Sequence, residues 1–298
     1  MQRWVYLLRE LSVATLRDIK RKIGSVNSTQ TITRTMKMVS ASKLRRAQTE
    51  LEKIKEYALK MEELTGRVVK NMPEDAHPLL AAREEVKKVL IVSIGSDRGL
   101  CGGFNVNVAL TAENFARQNR DTYERVGMYV FGRKIRDYLG KRKADIVKDW
   151  VDIKKVDQDL VDTVAEELIG LYLSGEFDKI YLSYTYFASA VKQEVVFEEF
   201  IPIKTPEESE YVDYICEPER IQIVESLIPR YISTKIYYSL IESQTSEHAA
   251  RMSAMENATN NCGEMVRYLT LVYNKRRQEG ITNEMLDIVG GAEALRGT

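Results

Sequence analysis

A glycine-rich stretch near the middle of the chain, "IGSDRGLCGGFN" over residues 94–105, has the residue types from which phosphate-binding loops are built. It follows the apolar run "VLIVSI" and precedes a segment with helical spacing, and a strand, a glycine loop and a helix N-terminus together form a phosphate cradle. A P-loop requires GxxxxGK[S/T], whose lysine reaches the phosphates and whose hydroxyl holds Mg²⁺. Here Gly102 is followed by Gly103, Phe104 and Asn105, so both the lysine and the Ser or Thr of a P-loop are missing. The GxGxxG spacing of dinucleotide sites is absent as well.

The glycines of this loop are explained better as a tight connection from a strand to a helix, since glycine permits positive φ and close approach of two backbones. The Asp97 and Arg98 side chains are able to form an ion pair or to cap main-chain groups of the turn. We therefore predict that the loop has a structural or interface role and binds no cofactor. The residues in this prediction are Asp97, Arg98, Gly99, Gly102 and Gly103. An enzyme with a degenerate nucleotide fold is the alternative.

The histidines and cysteines show no catalytic or metal-binding pattern. His77 precedes a proline in a loop, and His248 falls on a predicted coiled-coil seam, where a polar residue more often sets register than does chemistry. Cys101, Cys216 and Cys262 lie far apart with no CxxC, which is typical of a reduced cytosolic protein and argues against disulfides or a zinc site. We expect no catalytic residue and no metal site in this chain.

Charge is unevenly distributed although the net charge is zero. Residues 1–70 carry 16 Lys and Arg against 7 Asp and Glu, a net of +9, and Asp18 is the only acid between Arg17 and Arg46. This asymmetry predicts an acidic partner. Because the basic run has no aromatic residue for base stacking, we expect an acidic protein surface rather than a nucleic acid. No apolar run approaches the roughly 20 residues that span a bilayer.

Both ends of the chain carry apolar 3-4 heptad spacing. One frame includes Leu16, Ile19, Ile23, Val26, Leu44, Ala47, Leu51, Ile54, Ala58, Met61 and Val68. Between its two apolar parts this frame places Gln30, Thr33, Lys37 and Ser40 on the seam, whereas Ile32, Met36, Met38 and Val39 point off it. A second frame runs unbroken from Val224 to Tyr273. We predict one long helix at each end, with the N-terminal helix showing apolar groups to a further partner.

The middle of the chain alternates strand-like and helix-like segments. "KKVLIVSIG" and "RVGMYVFG" are typical of buried strands, "FNVNVALTAENFARQ", "RKIRDYLGKR" and "VDTVAEELIGLYLSG" of helices, and "DKIYLSYTYF" and "KQEVVFEEFIPI" of a hairpin. The predicted fold class is α/β, with a long antiparallel coiled coil of the N- and C-terminal helices plus a central Rossmann-like α/β domain. The expected divisions are 1–83 for the N-terminal helix and joint, 84–215 for the central domain and 216–298 for the C-terminal helix.

Three segments resemble the gamma subunits of F-type ATP synthases. "LRDIKRKIGSVNSTQTITRTMKMVSASKLRRAQ" is similar to the family's N-terminal helix, "SDRGLCGGFN" to a loop of its central domain, and "ITNEMLDIVGGAEA" to its terminal signature. The resemblance covers residues 13–296 in order. It implies a rotor shaft of a proton-translocating F1Fo ATP synthase that enters a hexamer of alpha and beta subunits and meets the epsilon subunit and the c-ring at its foot. ATP would be made in the beta subunits and not in this chain.

The resemblance also implies contact residues. Met36 and Lys37 match positions that face the hexamer, as do Arg251, Gln278 and Thr282 on the C-terminal helix. Tyr214 and Glu217 match the foot, where the c-ring and epsilon contacts are made.

Two departures from the family pattern bear on the source and location. Residues 1–12 extend beyond the usual start, and the stretch "MQRWVYLLRELSVA" makes a poor signal peptide because charges interrupt it. The inserted redox segment of chloroplast forms is absent from this sequence. We expect a bacterial chain, peripheral on the cytoplasmic face of the inner membrane. A passive coiled-coil hinge or tether is the second alternative.

Overall fold

In the part of the chain that the structure describes, two long helices precede and follow a five-stranded sheet and three shorter helices in sequence. The computed structural model describes residues 15–70, 72–73, 77–204 and 220–296. In chain order the elements are α1 Leu16–Val69, β1 Lys88–Ile94, α2 Phe104–Gln118, β2 Arg125–Phe131, α3 Arg133–Lys141, β3 Asp145–Trp150, α4 Gln158–Leu173, β4 Lys179–Phe187, β5 Gln193–Ile201 and α5 Arg220–Arg296. Within these described ranges no helix is both long enough and apolar enough to span a bilayer.

The sheet has the strand order β3-β2-β1-β4-β5. Strand β1 is parallel to β2 and β4, β2 is parallel to β3, and β5 is antiparallel to β4. The central strand "KVLIVSI" is buried over its last six residues, as a continuous apolar run predicts for a strand covered on both faces. The order 3-2-1-4-5 is that of a Rossmann sheet with its fifth strand reversed, so the predicted fold class is confirmed.

Strand β3, "DIVKDW", is the element that the sequence analysis missed. It lies at the edge of the sheet, and none of its six residues is fully buried. Its run of apolar residues is therefore short, and exposed charges such as Lys148 and Asp149 interrupt it. Charges of this kind protect a sheet edge from pairing with other chains, and they also weaken the apolar pattern by which a strand is recognised.

Helices cover both faces of the sheet. On one face, Leu168 of α4 shares a core with Leu90 of β1, and this core also includes Val68 of α1 and Ile228 of α5. On the other face, helices α2 and α3 bury a second core that contains Ala109, Ile135, Val89, Ile91 and Val130. Helix α1 thus ends, and helix α5 begins, in the hydrophobic core of the α/β domain.

The chain divides into two compact units, Met1–Met38 with Met255–Thr298, and Val39–Ala254. In the first unit, Ile19 is buried against Leu269, and the Lys37 ammonium lies 2.6 Å from the Glu256 carboxylate. The partner's residue number falls as the number on α1 rises, so the two helices run antiparallel, as predicted. The domain divisions expected after residues 83 and 215 stay predictions, and residue 215 lies outside the described residues.

The burial of the two helices follows the predicted heptad seams. In the second unit, Leu44, Ala47, Leu51 and Met61 of α1 are buried, and so are Val224, Ile241, Thr245 and His248 of α5. Of the four residues predicted to point off the seam, three are exposed, by 59% at Ile32, 60% at Met38 and 53% at Val39, and Met36 is half-buried.

Candidate functional site

The loop between β1 and α2 is closed on itself by a buried asparagine. Asn105, in the first turn of α2, accepts a hydrogen bond from the Ser96 main-chain N–H at 2.8 Å and donates one to the Ser96 hydroxyl at 2.9 Å. That hydroxyl donates to the Arg98 carbonyl at 2.8 Å. Leu100 and Gly102 both have positive φ, 64° and 59°, which makes the turn tight. The polar groups of the loop are thus used largely in holding its own shape.

Asp97 links this loop to the next strand–helix connection. Its carboxylate accepts a hydrogen bond from the Arg133 main-chain N–H at 2.9 Å, at the N-terminus of α3, where the helix dipole favours a negative charge. Just before this point Gly132 has a φ of 93°, and a Cβ there would lie 2.7 Å from the Ser96 backbone. Only glycine allows the two connections to approach this closely.

Arg251 of α5 contacts the same loop from the other side. Its guanidinium donates to the Gly99 carbonyl at 3.2 Å and to the Arg98 carbonyl at 3.3 Å, and it pairs with Glu247 at 2.6 Å. Arg251 is only 8% exposed. The structure therefore places Arg251 against the loop that contains Asp97, Arg98 and Gly99, whereas the sequence predicts Arg251 as a hexamer contact. That contact stays a prediction.

Burial dominates the electrostatics around Arg251. It raises the pKa of Glu247, and the neighbouring guanidinium offsets part of this effect. Burial also lowers the pKa of His248 to about 4, with further contributions from the positive charges of Arg251 and Lys43. The pKa of the Cys101 thiol is raised, mainly by burial, which makes it a weak nucleophile at neutral pH. The arrangement is suited to holding main-chain groups in place.

The coiled-coil unit contains a polar notch where the heptad frame places polar residues. The Thr33 and Thr259 hydroxyls lie 2.8 Å apart, and Gln30 donates to the Thr259 carbonyl at 3.3 Å. Beside them is a cavity of 370 Å³, lined by Gln30, Thr31, Arg34, Lys37, Met38, Glu256, Thr259 and Asn260. Met36 is half-buried on the adjoining turn. The notch is polar and its rim is basic. Glu256 is the acidic residue that forms an ion pair with Lys37.

The C-terminal end of α5 is exposed on every side. Gln278 and Thr282 both face solvent, and the Thr282 hydroxyl donates to the Gln278 carbonyl at 2.9 Å. All residues from 281 to 292 are exposed. The large apolar side chains among them are Ile281, Met285, Leu286, Ile288 and Val289.

These apolar residues are not among the contacts predicted from the sequence, although the heptad frame contains the signal. Continued beyond Tyr273, the frame falls on Arg276, Gly280, Asn283 and Asp287. The apolar residues therefore lie off the seam, where no coiled-coil partner is expected to bury them.

The remaining predicted site residues are not brought together. Gln278 and Thr282 lie on the same helix as Arg251 but several turns away, and Tyr214 and Glu217 lie outside the described residues. Among the residues that the structure describes, no group of three or more His, Cys, Asp or Glu side chains is placed to hold a metal ion.

Comparison with known proteins gives matches over nearly the whole chain. A family model described as ATP synthase matches residues 15–295. The ATP synthase gamma chain of Anaeromyxobacter sp. (strain Fw109-5) is 44% identical over 288 residues, which are 94% of this chain and 99% of that protein. A chain in the central stalk and c-ring structure of Tetrahymena thermophila mitochondrial ATP synthase is 28% identical, with a TM-score of 0.59 over 76% of this chain and 99% of that one. A chain of the Euglena gracilis mitochondrial ATP synthase shares the fold, with a TM-score of 0.67 at 19% identity over 94% of both chains.

The close approach at Gly132 predicts a strong effect of a single methyl group. Gly132→Ala places a Cβ against the Ser96 backbone at positive φ, so we expect the free energy of unfolding of the isolated chain to fall by about 2–4 kcal/mol in urea titrations. Gly140→Ala, in the helix α3 that follows Gly132, is the control, because its Cβ would meet only ordinary contact at 3.9 Å. We expect this control to leave the stability unchanged or raised by about 0.5–1 kcal/mol. Equal effects of the two substitutions would contradict the described loop.

The lowered pKa of His248 predicts a stability that depends on pH. Between the ordinary histidine value near 6.5 and the folded value of about 4, the unfolded chain binds a proton that the folded chain does not. The free energy of unfolding should therefore decrease as the pH falls through this window. His248→Gln removes the titrating group, so between about pH 7.5 and 5 the wild type should lose about 2 kcal/mol more stability than the variant. Parallel pH profiles would show that His248 titrates normally.

Proposed function

This chain belongs to the family of ATP synthase gamma chains, and we propose that it works as the rotating central shaft that couples the turning of a c-ring to the conformational cycle of catalytic beta subunits. The shaft is the antiparallel pair of α1 and α5. The α/β domain is the part to which a driving ring and an epsilon subunit attach. In this role the chain is asymmetric, so that each beta subunit meets a different face of it as it turns.

The observation that carries this proposal is the exposed end of α5. A helix whose residues are exposed on all faces and which carries five large apolar side chains leaves apolar area in water that a partner would bury. Ile288, for example, is 72% exposed. A sleeve that surrounds the helix can cover all faces, whereas a single flat partner covers only one. A hexamer of alpha and beta subunits with a central opening is such a sleeve.

The polar notch supports contact with an acidic surface of the beta subunit. Arg34 and Lys37 stand at its rim, and Glu256 offsets only one of the two charges. The exposed apolar residues Ile32 and Met38 lie on the neighbouring faces of α1. We propose Met36, Lys37, Arg251, Gln278 and Thr282 as the contacts with the hexamer. Of these, Arg251 would contact a partner through the small part of its side chain that is not engaged with the loop.

The chain contributes no catalytic group in this proposal. ATP is made in the beta subunits, and the chain binds no cofactor of its own. It is peripheral, held at the cytoplasmic face of the bacterial inner membrane by the c-ring and the epsilon subunit, with Tyr214 and Glu217 at the foot.

Assembly and rotation test the proposal directly. The chain is coexpressed with the alpha, beta and epsilon subunits, the complex is fixed by its beta subunits, and a probe is attached to the α/β domain. We expect the chain to copurify with the hexamer and the probe to rotate in one direction during ATP hydrolysis. A chain that binds nucleotide by itself would instead support the enzyme alternative. Coupled ATP synthesis by a complex that lacks the chain would refute the shaft role.

A charge at Met36 is expected to impair coupling. Met36→Lys adds a second ammonium beside Lys37 on the face proposed to meet the beta subunit, so the acidic surface of that subunit would be held too tightly at one rotational position. We expect fewer protons pumped per ATP hydrolysed in membrane vesicles. Met36→Leu keeps the apolar character and is the matched control, with wild-type coupling. Unchanged coupling in Met36→Lys would remove Met36 from the contact.

A further inference from the structure

The last residues of β4 extend beyond the strand that pairs with them. The β1–β4 ladder ends at the pair Ser93 and Ser183, whereas β4 continues to Phe187. On its other edge β4 stays paired with β5 as far as Phe187 and Gln193. One edge of β4 therefore loses its partner strand at Thr185. Main-chain polar groups buried there need other hydrogen-bond partners.

Side chains of α5 occupy the place that β1 leaves. The Thr185 N–H donates to the Ser243 hydroxyl at 3.1 Å, and the Thr185 carbonyl accepts from the Ser246 hydroxyl at 3.1 Å. The Phe187 N–H donates to the Glu242 carboxylate at 2.8 Å. The N–H and the carbonyl of one strand residue point to the same side, so α5 continues the ladder on the edge away from β5.

This arrangement fixes the rotation of the helix relative to the sheet. The hydroxyls of Ser243 and Ser246, about one helical turn apart, form hydrogen bonds with the N–H and the carbonyl of Thr185. Ser243, Ser246 and Glu242 are all buried. Glu242 is held in turn by the Tyr238 hydroxyl at 2.5 Å. At a side-chain radius of about 5 Å, turning the helix by roughly 20° would move these groups by about 2 Å, which breaks a hydrogen bond. Apolar contacts alone tolerate such sliding more readily, because they are not directional.

A second hold lies further along the same helix. Arg251 grips the carbonyls of Arg98 and Gly99 in the loop that follows β1. Between Glu242 and Arg251, which is about 13 Å of helix, α5 is therefore bonded to the chain at or just beyond the ends of two adjacent strands. The helix then continues to Arg296 without a break.

Resting on the proposed shaft function, we propose that the β4–α5 joint, defined as Thr185, Phe187, Glu242, Ser243 and Ser246, transmits torque between the α/β domain and the shaft. The three α5 side chains act as positioning residues. They hold the helix at one rotational angle to the sheet, so that turning the domain turns the helix without slip.

The test compares hydroxyl deletions on one helix in the assembled ATP synthase. In Ser243→Ala/Ser246→Ala both grips on Thr185 are lost. We expect ATP hydrolysis to continue, while proton pumping per ATP against an imposed gradient falls and the torsional stiffness of the shaft, measured from the fluctuations of an attached probe, decreases. Ser239→Ala is the matched control: its hydroxyl is fully buried but donates only to the Lys235 carbonyl of its own helix. The control should keep wild-type stiffness and coupling.

Glu242 gives an independent comparison if the double variant does not assemble. Glu242→Gln keeps an oxygen that accepts from Phe187, and Glu242→Leu does not, so coupling should be retained in the first and reduced in the second. Wild-type stiffness and pumping in the double variant, or equal coupling in the two Glu242 variants, would overturn the proposed role of the joint. A wild-type complex that fails to rotate would instead refute the shaft function itself.

Discussion

Pairing of the two long helices is the interaction on which the rest of the structure depends. Each helix carries a long apolar stripe on one face. A helix cannot bury its own stripe, so each stripe has to pack against another element. In the Val39–Ala254 unit the seam extends into the core beneath the sheet, where Met61 and Leu227 belong to the same buried cluster as Leu168. In the other unit, Ile19 and Leu269 form a small buried cluster of their own. The coiled coil and the α/β domain therefore depend on the same apolar stripes.

Polar residues interrupt the apolar seam of this pairing. A threonine or a histidine at a buried heptad position weakens the apolar contact, but it limits the alignments that the two helices can adopt. The Thr33 hydroxyl accepts a hydrogen bond from the Thr259 hydroxyl across the seam, so the two helices stay paired where the apolar residues are lacking. Because Ile32 and Met38 are not needed for that pairing, they face outward and are available to a partner.

The sequence predicted those parts of the structure that produce a repeating pattern. Heptad spacing gave the two helices and their seams, and continuous apolar runs gave the central strands. Strand β3 was missed because its exposed charges interrupt the apolar run by which a strand is recognised. The contacts of Ser243, Ser246 and Arg251 were missed for a different reason. A side chain that bonds to the backbone of a distant strand has no period in the sequence, and it becomes visible only once the strand ends are placed in space.

Helix α5 changes its surroundings along its length, and this change gives it a mechanical direction. Between Ile241 and Ser246 almost every residue is buried, because one face meets the seam and another bonds to the end of β4. From residue 281 to 292 every residue is exposed. Contacts on two faces fix the rotational angle of α5 at residues 241–246, and residues 281–292 are in contact with solvent. A helix of this kind can transmit rotation along its axis to a partner that surrounds its exposed residues. The helix is continuous over both places, and its one proline, which would interrupt the hydrogen bonding of a helix, is Pro229, ahead of the fixed region. No proline therefore interrupts α5 between the joint and the exposed residues.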